Sequence, residues 1–149
     1  MGAISVIAAI TDTARQYMAL QTISGYGIEV VSFVVGSGGS DPGDPTVALS
    51  PDPSVSTLPQ QTFGPKSVVP NGIYTGVLTT PYCPQFTGLL DYTEANGAIS
   101  NVGLIAQIVS SQTPNDPLIG TTYLYAIGNR PLVTKTDSDQ MQINITLQT

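Results

Sequence analysis

The sequence contains no histidine and no tryptophan, and charged residues make up only 9% of its 149 residues. Without histidine there is no Ser-His-Asp or Cys-His nucleophile pair, no imidazole metal ligand, and no side chain that ordinarily titrates near neutral pH. Most hydrolytic and metal chemistry is thereby made improbable. We therefore expect a protein without enzymatic activity, cofactor or bound metal.

Basic residues are also scarce, with 4 Lys and Arg against 10 Asp and Glu and a net charge of -6. Nucleic-acid binding and attachment to an anionic membrane surface both need clustered cations, and the four here are dispersed. The longest apolar stretches, such as Val30–Gly36, are far too short to span a bilayer. The composition thus predicts partners that are neither nucleic acid nor membrane.

Cysteine occurs once, as Cys83, so no disulfide can form within the chain. With no histidine to activate it, a structural thiol is favoured over a reactive nucleophile. Uncharged polar residues are abundant instead: Ser, Thr, Asn and Gln together number 47. Hydroxyls and amides must therefore provide most of the polar surface, and packing or partners must hold the fold together.

The local patterns predict one helix and several strands. Thr11, Asp12 and Thr13 offer N-cap oxygens and Gly25 suits a left-handed C-cap, so we expect a helix over Asp12–Ser24. Residues 3–10 fit either a strand or the first turns of a helix. Further strands are predicted at 27–36, 68–78, 97–109, 121–127 and 141–147, with turns at Asn71-Gly72 and Asn96-Gly97 and a bulge near Gly103. The last of these strands has the clearest period of two.

Prolines and glycines are concentrated in residues 37–70, which suit an extended or looping excursion with at most a short strand or turn of helix. Residues 1–149 are therefore predicted to form a single domain with an extended proline-rich arm at about 37–70. We expect the fold class to be α+β: one early helix with a mainly antiparallel β-sheet and a long Pro/Gly-rich loop.

The order of these segments resembles a protein family. The helix over residues 13–23 precedes a strand that ends in Phe33-Val34-Val35-Gly36-Ser37-Gly38-Gly39 and a segment over Asp41–Ser50. Later come the strand 97–106, the segment Leu124–Pro131 that is similar to the family's turn, and the final strand 141–147. In this order the chain resembles the tail-collar fibre domain at the N-terminus of bacteriophage tail fibres. About half of the chain is covered, and residues 51–91 match poorly.

The resemblance implies a virion structural protein of a bacteriophage tail or baseplate, made in the host bacterial cytoplasm. It also implies homo-trimers and contacts with other tail, baseplate or fibre proteins. Asn101 stands where the family has an acidic residue, so an ion pair at that position is in question. Because the chain ends at Thr149, directly after the last predicted strand, we expect an adaptor that joins fibre to baseplate rather than a complete fibre.

The proline-rich arm is the candidate interface, since a loop of this length is costly to order without partner subunits. The residues that we expect to contact neighbouring chains are Gly39, Asp41, Pro42, Asp44, Pro45, Leu49, Pro51, Pro53, Leu58 and Pro59.

Two other functions stay open at this stage. Tyrosines and amides on loops suggest a small β-rich module that binds carbohydrate or a receptor. Carboxylate pairs at Asp41/Asp44, Asp91/Glu94 and Asp137/Asp139 suggest, more weakly, an acidic hydrolase. The first and last pairs are also candidate calcium ligands, but neither has the ligand spacing of a known calcium loop. All three pairs also suit ordinary turn and cap positions.

Overall fold

The structure, a computed structural model, describes residues 2–74 and 82–148, without the side chains of Asn71 and Tyr74. Within these residues it contains one helix and ten strands. Their bounds are β1 Gly2–Ile10, α1 Asp12–Ser24, β2 Gly27–Gly36, β3 Ser40–Asp41, β4 Asp44–Ala48, β5 Gln61–Ser67, β6 Val69–Tyr74, β7 Cys83–Leu90, β8 Gly97–Ser110, β9 Thr122–Lys135 and β10 Met141–Gln148.

Eight strands form one sheet in the order β5-β2-β8-β9-β1-β10-β7-β6, and β3 and β4 form a separate hairpin. The outermost strands, β5 and β6, are separated in the chain by Val68 alone, so the two ends of the sheet must lie close together. The sheet therefore curls into a nearly closed barrel. Phe33 of β2 meets Gly88 of β7 across the interior, where a Cβ on Gly88 would lie 2.9 Å from the Phe33 ring.

The expected α+β class is wrong, because strands make up 59% of the chain and helix only 9%. The predicted helix is present with the predicted bounds, and it is the single helix among the described residues. Ala14 is buried, and Tyr17, Met18 and Leu20 pack on the main hydrophobic cluster. The ring of Tyr17 stacks on Tyr123 at the start of β9, at 4.4 Å between ring centroids. The helix thus covers one end of a β-rich fold.

Thr11 fixes the start of this helix. Its Oγ1 accepts a hydrogen bond from the Ala14 amide at 3.1 Å and donates one to the Leu124 carbonyl at 2.7 Å. This is an N-cap interaction, and because Thr11 is fully buried it also ties the helix to β9. At the other end, Gly25 adopts a left-handed conformation with φ 65° and its amide donates to the Gln21 carbonyl, as predicted.

The strongest strand predictions are confirmed. The strand over 27–36 has the predicted bounds, 97–109 extends by one residue, and in 141–148 buried and half-buried residues alternate throughout. The ambiguous first segment is a strand, which pairs with β10 in parallel over eight residues, whereas the other pairings in the described sheet are antiparallel. Register shifts in β8 lie at 99–101 and 104–105, on either side of Gly103.

Two turn predictions are wrong. Asn71-Gly72 lies within β6, where a register shift follows Pro70, and residues 75–78 of the strand predicted at 68–78 lie outside the described residues. The segment Gly128-Asn129-Arg130-Pro131 continues β9 without a turn. Gly128 instead allows the close approach of β1, since a Cβ there would lie 2.8 Å from the Ile7 carbonyl oxygen and 2.3 Å from Val6 Cγ1.

Residues 37–70 contain more regular structure than the sequence predicts: the β3–β4 hairpin, the seven-residue strand β5 and the start of β6. The prolines and glycines of this segment predict at most one short strand or turn of helix. Pro65 is tolerated because β5 pairs only with β2 and is therefore an edge strand, on which one side of the backbone needs no ladder donor.

We expect Gly128→Ala to destabilise the chain by about 1–3 kcal/mol, because the added methyl group would press on the β1 backbone, which has little room to move. Gly2→Ala is the matched control, since a Cβ at Gly2 meets nothing within 4 Å. Urea denaturation of both variants measures the difference, and equal midpoints would show that β1 and β9 are not in close contact at this position.

Candidate interaction surface

Carboxylates of the predicted pairs form hydrogen bonds within local turns. Among the described residues there is no group of three or more His, Cys, Asp or Glu that could hold a metal ion, nor any helix long and apolar enough to cross a membrane. Asp41 Oδ1 accepts from the Gly43 amide, and Asp44 Oδ1 accepts from the amide and hydroxyl of Thr46. Asp139 bonds Thr136 through both its amide and its carboxylate. Each of these arrangements closes a local loop.

Asp91 and Glu94 belong to a hydrogen-bond network at the barrel seam, the place where the outermost strands β5 and β6 bring the two ends of the sheet together. Glu94 Oε1 accepts from the Asp91 amide and from Lys66 Nζ of β5, which links the β7–β8 turn to the edge strand. Bonds from Lys66 and from the Asp91 amide lower the pKa of Glu94, and bonds from Gln140 and the Tyr92 amide lower the pKa of Asp91. Both groups are held ionised, as suits a structural link.

Lys135, at the end of β9, is almost fully buried beside this turn. Its Nζ donates to Asn96 Oδ1 at 2.8 Å and to the carbonyl oxygens of Tyr92 and Thr136 at 3.3 and 3.4 Å. Three acceptors offset the cost of removing the ammonium group from water. The lysine thus fixes the shape of the β7–β8 turn.

The predicted interface segment divides into exposed and buried residues. Pro42, Asp44, Pro45, Leu49 and Pro53 are exposed, whereas Asp41, Pro51 and Pro59 are partly buried. Gly39 and Leu58 are buried within the chain itself.

Leu58 and Val55 cover the outer surface of the barrel. With Val34 of β2 and Leu124 and Ile127 of β9 they form a second, smaller hydrophobic cluster, in which Leu58 is only 3% exposed. Since β2 and β9 flank β8 in the sheet, residues 55–58 lie over this part of the outer surface. Part of the arm therefore completes the chain's own fold.

Two asparagines hold the arm in place. Asn101 of β8 and Asn129 of β9 are directly paired across the strands. The Asn101 side-chain amide donates to the Pro59 carbonyl, and that of Asn129 donates to the Leu49 carbonyl, both at 3.0 Å. The amide at position 101 thus satisfies a backbone carbonyl of the arm, which an acidic side chain at that position would not do.

The other half of the barrel exposes an uncharged surface. Four consecutive strands of the sheet, β1, β10, β7 and β6, contain no Asp, Glu, Lys or Arg. We call their outward-facing side chains the uncharged face: Ala3, Ser5, Ile7, Ala9, Gln142, Asn144, Thr146, Gln148, Gln85, Thr87, Leu89 and Val69.

Polar and apolar groups are mixed on the uncharged face. Gln85 Nε2 donates to Thr146 Oγ1 at 3.1 Å, and Gln142 Nε2 donates to Asn144 Oδ1 at 2.9 Å. Beside these hydrogen-bonded side chains, the apolar side chains of Ile7, Leu89 and Val69 are 50%, 46% and 57% exposed. A broad surface with exposed aliphatic groups and no charge is typical of a contact region between proteins.

A groove of about 390 Å³ borders the uncharged face where β1 and β10 end. Ile7, Ala9 and Gln148 of the face line one side, and Arg15 of α1 lines the other. The uncharged face therefore ends at Arg15 on this side of the barrel.

Most tyrosines have internal roles. Tyr17, Tyr123 and Tyr125 lie together at the helix end of the barrel, and Tyr26 is buried. Burial raises the pKa of Tyr123 and of Tyr125. The side chain of Tyr74 lies outside the described residues, and Tyr82 and Tyr92 are exposed. This distribution does not place a row of aromatic rings on the surface.

Sequence reasoning missed the uncharged face and the asparagine pair. A signal existed, because residues 1–11, 67–90 and 140–149 are three separate segments without a charge. Only the pairing of β1 with β10 and of β10 with β7 brings these segments together.

Comparison of the chain with protein families, with curated proteins and with solved structures finds no match.

The lowered pKa of Glu94 predicts a stability that depends on pH. Its contribution is complete above the unfolded pKa of glutamate, about 4.3, and is lost as the pH falls through the lower folded value. Glu94→Gln should therefore lower the denaturation midpoint at pH 7, and its deficit should shrink below about pH 4. Glu29→Gln, on β2 and outside the network, is the control. A Glu94→Gln deficit that stayed constant down to pH 3 would contradict a contribution from the ionised carboxylate.

Two leucines of the predicted interface should behave differently. Leu58→Ala should destabilise the chain by about 2–3 kcal/mol, because it removes a buried side chain from a small cluster that cannot fully collapse. Leu49→Ala, at 41% exposed, should change the free energy of unfolding by less than about 0.5 kcal/mol. Equal small effects in urea denaturation would mean that residues 55–58 do not pack on the barrel in solution.

Proposed function

We propose that this chain is a structural protein of a bacteriophage tail or baseplate, an adaptor that joins a tail fibre to the baseplate without enzymatic activity. It is made in the host bacterial cytoplasm and incorporated into the virion, where it contacts other tail proteins and further copies of itself, as a homo-trimer by analogy with fibres.

The uncharged face is the observation that carries the assembly part of this proposal. Its amides and hydroxyls can be covered by another protein with little cost, because no ion has to lose its hydration shell. Its exposed aliphatic groups, Ile7, Leu89 and Val69, gain from being covered. A surface of this kind suits a subunit that works while covered by other proteins.

The tail location rests on the sequence resemblance. The segments that carry it include α1, β2, most of the β3–β4 hairpin, the start of β8 and β10. The segment that was similar to the family's turn, Leu124–Pro131, is part of a continuous strand, so it no longer supports the resemblance. What remains is the order of one helix and three strands, together with the glycine-rich end of β2 and the segment Asp41–Ser50 that follows it.

The two other functions find less support in the structure. A carbohydrate-binding module needs exposed rings for stacking, whereas most of the described tyrosines pack inside the fold. A hydrolase with two carboxylates needs them to face one cleft at different pKa values. Asp91 and Glu94 instead both have lowered pKa values and bind turn and strand groups.

The proposal is tested in the genome that carries this gene. Antibodies against the purified chain should label one end of the tail in virions produced from that genome, and deletion of the gene should give virions that lack fibres. Expression of the unaltered chain in trans should restore them. Virions with complete fibres after deletion, or a genome that produces no virions, would refute the function.

A further inference from the structure

We propose that the uncharged face is the surface through which copies of this chain bind one another, so that the face of each copy is covered by the same face of its neighbours. The inference rests on the proposed function for its setting and specifies which surface makes the homo-oligomer. It places the self-contact on β1, β10, β7 and β6, away from the proline-rich arm.

Charge is the first argument for a second copy as the occupant. Each chain carries a net charge of -6, so two copies repel one another in most orientations. All 10 acidic and 4 basic residues lie outside the four strands of the uncharged face. Contact through this face brings no charged side chain of these four strands into the interface, and the charges that flank the strands lie at its edges, where solvent and salt screen them.

Hydrogen bonding is the second argument. Every outward residue of β10 is an amide or a hydroxyl, and β7 adds Gln85 and Thr87. Such side chains donate and accept equally well, so the face is complementary to itself. A partner with a charged surface would instead lose hydration at its ions without gaining an opposite charge from this face.

The size of the face is the third argument. Strands of about eight residues at about 3.3 Å per residue, spaced about 4.8 Å apart, give four strands a projected area of roughly 500 Å². Because these strands form half of a curled sheet, two such faces supply at most about 1,000 Å², the lower bound for a specific interface. The same face meets its own copies in a two-fold pair, and also in a trimer in which three faces point toward a shared axis.

The test introduces a charge at Ser5, an exposed residue of β1 beside Asn144. The unaltered chain should show a mass of two or three chains by analytical ultracentrifugation at micromolar concentration. Ser5→Lys and Ser5→Glu should each weaken self-association at least about tenfold, because each places like charges in one contact. An equal mixture of the two variants should associate again. Thr122→Lys, an exposed substitution on β9, should have no effect.

Ala3→Lys, at the exposed start of β1, provides a second variant in case a change at Ser5 impairs folding, which thermal denaturation reports separately. A monomer at all concentrations would overturn the inference, as would variants that keep the oligomeric mass. A monomeric chain whose Ser5 variants are lost from virions would also overturn it, in favour of a different tail protein on this face. An oligomer that depends on Ser5 but is missing from virions would refute only the proposed function.

Discussion

The connection between β5 and β6 is the constraint on which the rest of the structure depends. These strands lie at opposite ends of an eight-stranded sheet, yet only Val68 separates them in the chain. The sheet must therefore curl until its ends meet, which produces an interior, an exterior and two open ends. Phe33 can then meet Gly88 across the interior, and α1 can cover one end.

Closure also gives the exterior two unlike halves. Over β2, β8 and β9 the chain covers itself with residues 55–58, and Asn101 and Asn129 donate hydrogen bonds to backbone carbonyl oxygens of the arm. Over β1, β10, β7 and β6 the exterior stays exposed and uncharged. The first half is thus covered by the chain's own arm, whereas the second half has the composition of a contact surface.

Local order could be predicted from the sequence because it depends on neighbouring residues. The helix over Asp12–Ser24 and the alternating strand at 141–147 follow from capping and periodicity, and both are present. The fold class was wrong because β5 and β7 have little periodicity of their own and become strands by pairing with β2 and β10. The role of Gly128 could not be predicted from neighbouring residues either, since it depends on how closely β1 approaches β9.

Charged residues are few, and they are also unevenly distributed over the structure. The buried ammonium group of Lys135 is surrounded by three hydrogen-bond acceptors. The ionised carboxylate of Glu94 bonds Lys66 and the Asp91 amide, and so links the β7–β8 turn to β5. Charge is thus kept where bonds within the chain or water compensate it. The strands without charge carry amides and hydroxyls, whose loss of water costs less and is recovered when another surface supplies hydrogen bonds. The low charge content argues against catalysis and metal binding. In the structure it also leaves one face without charged side chains, and this is the surface best suited to being covered by another protein.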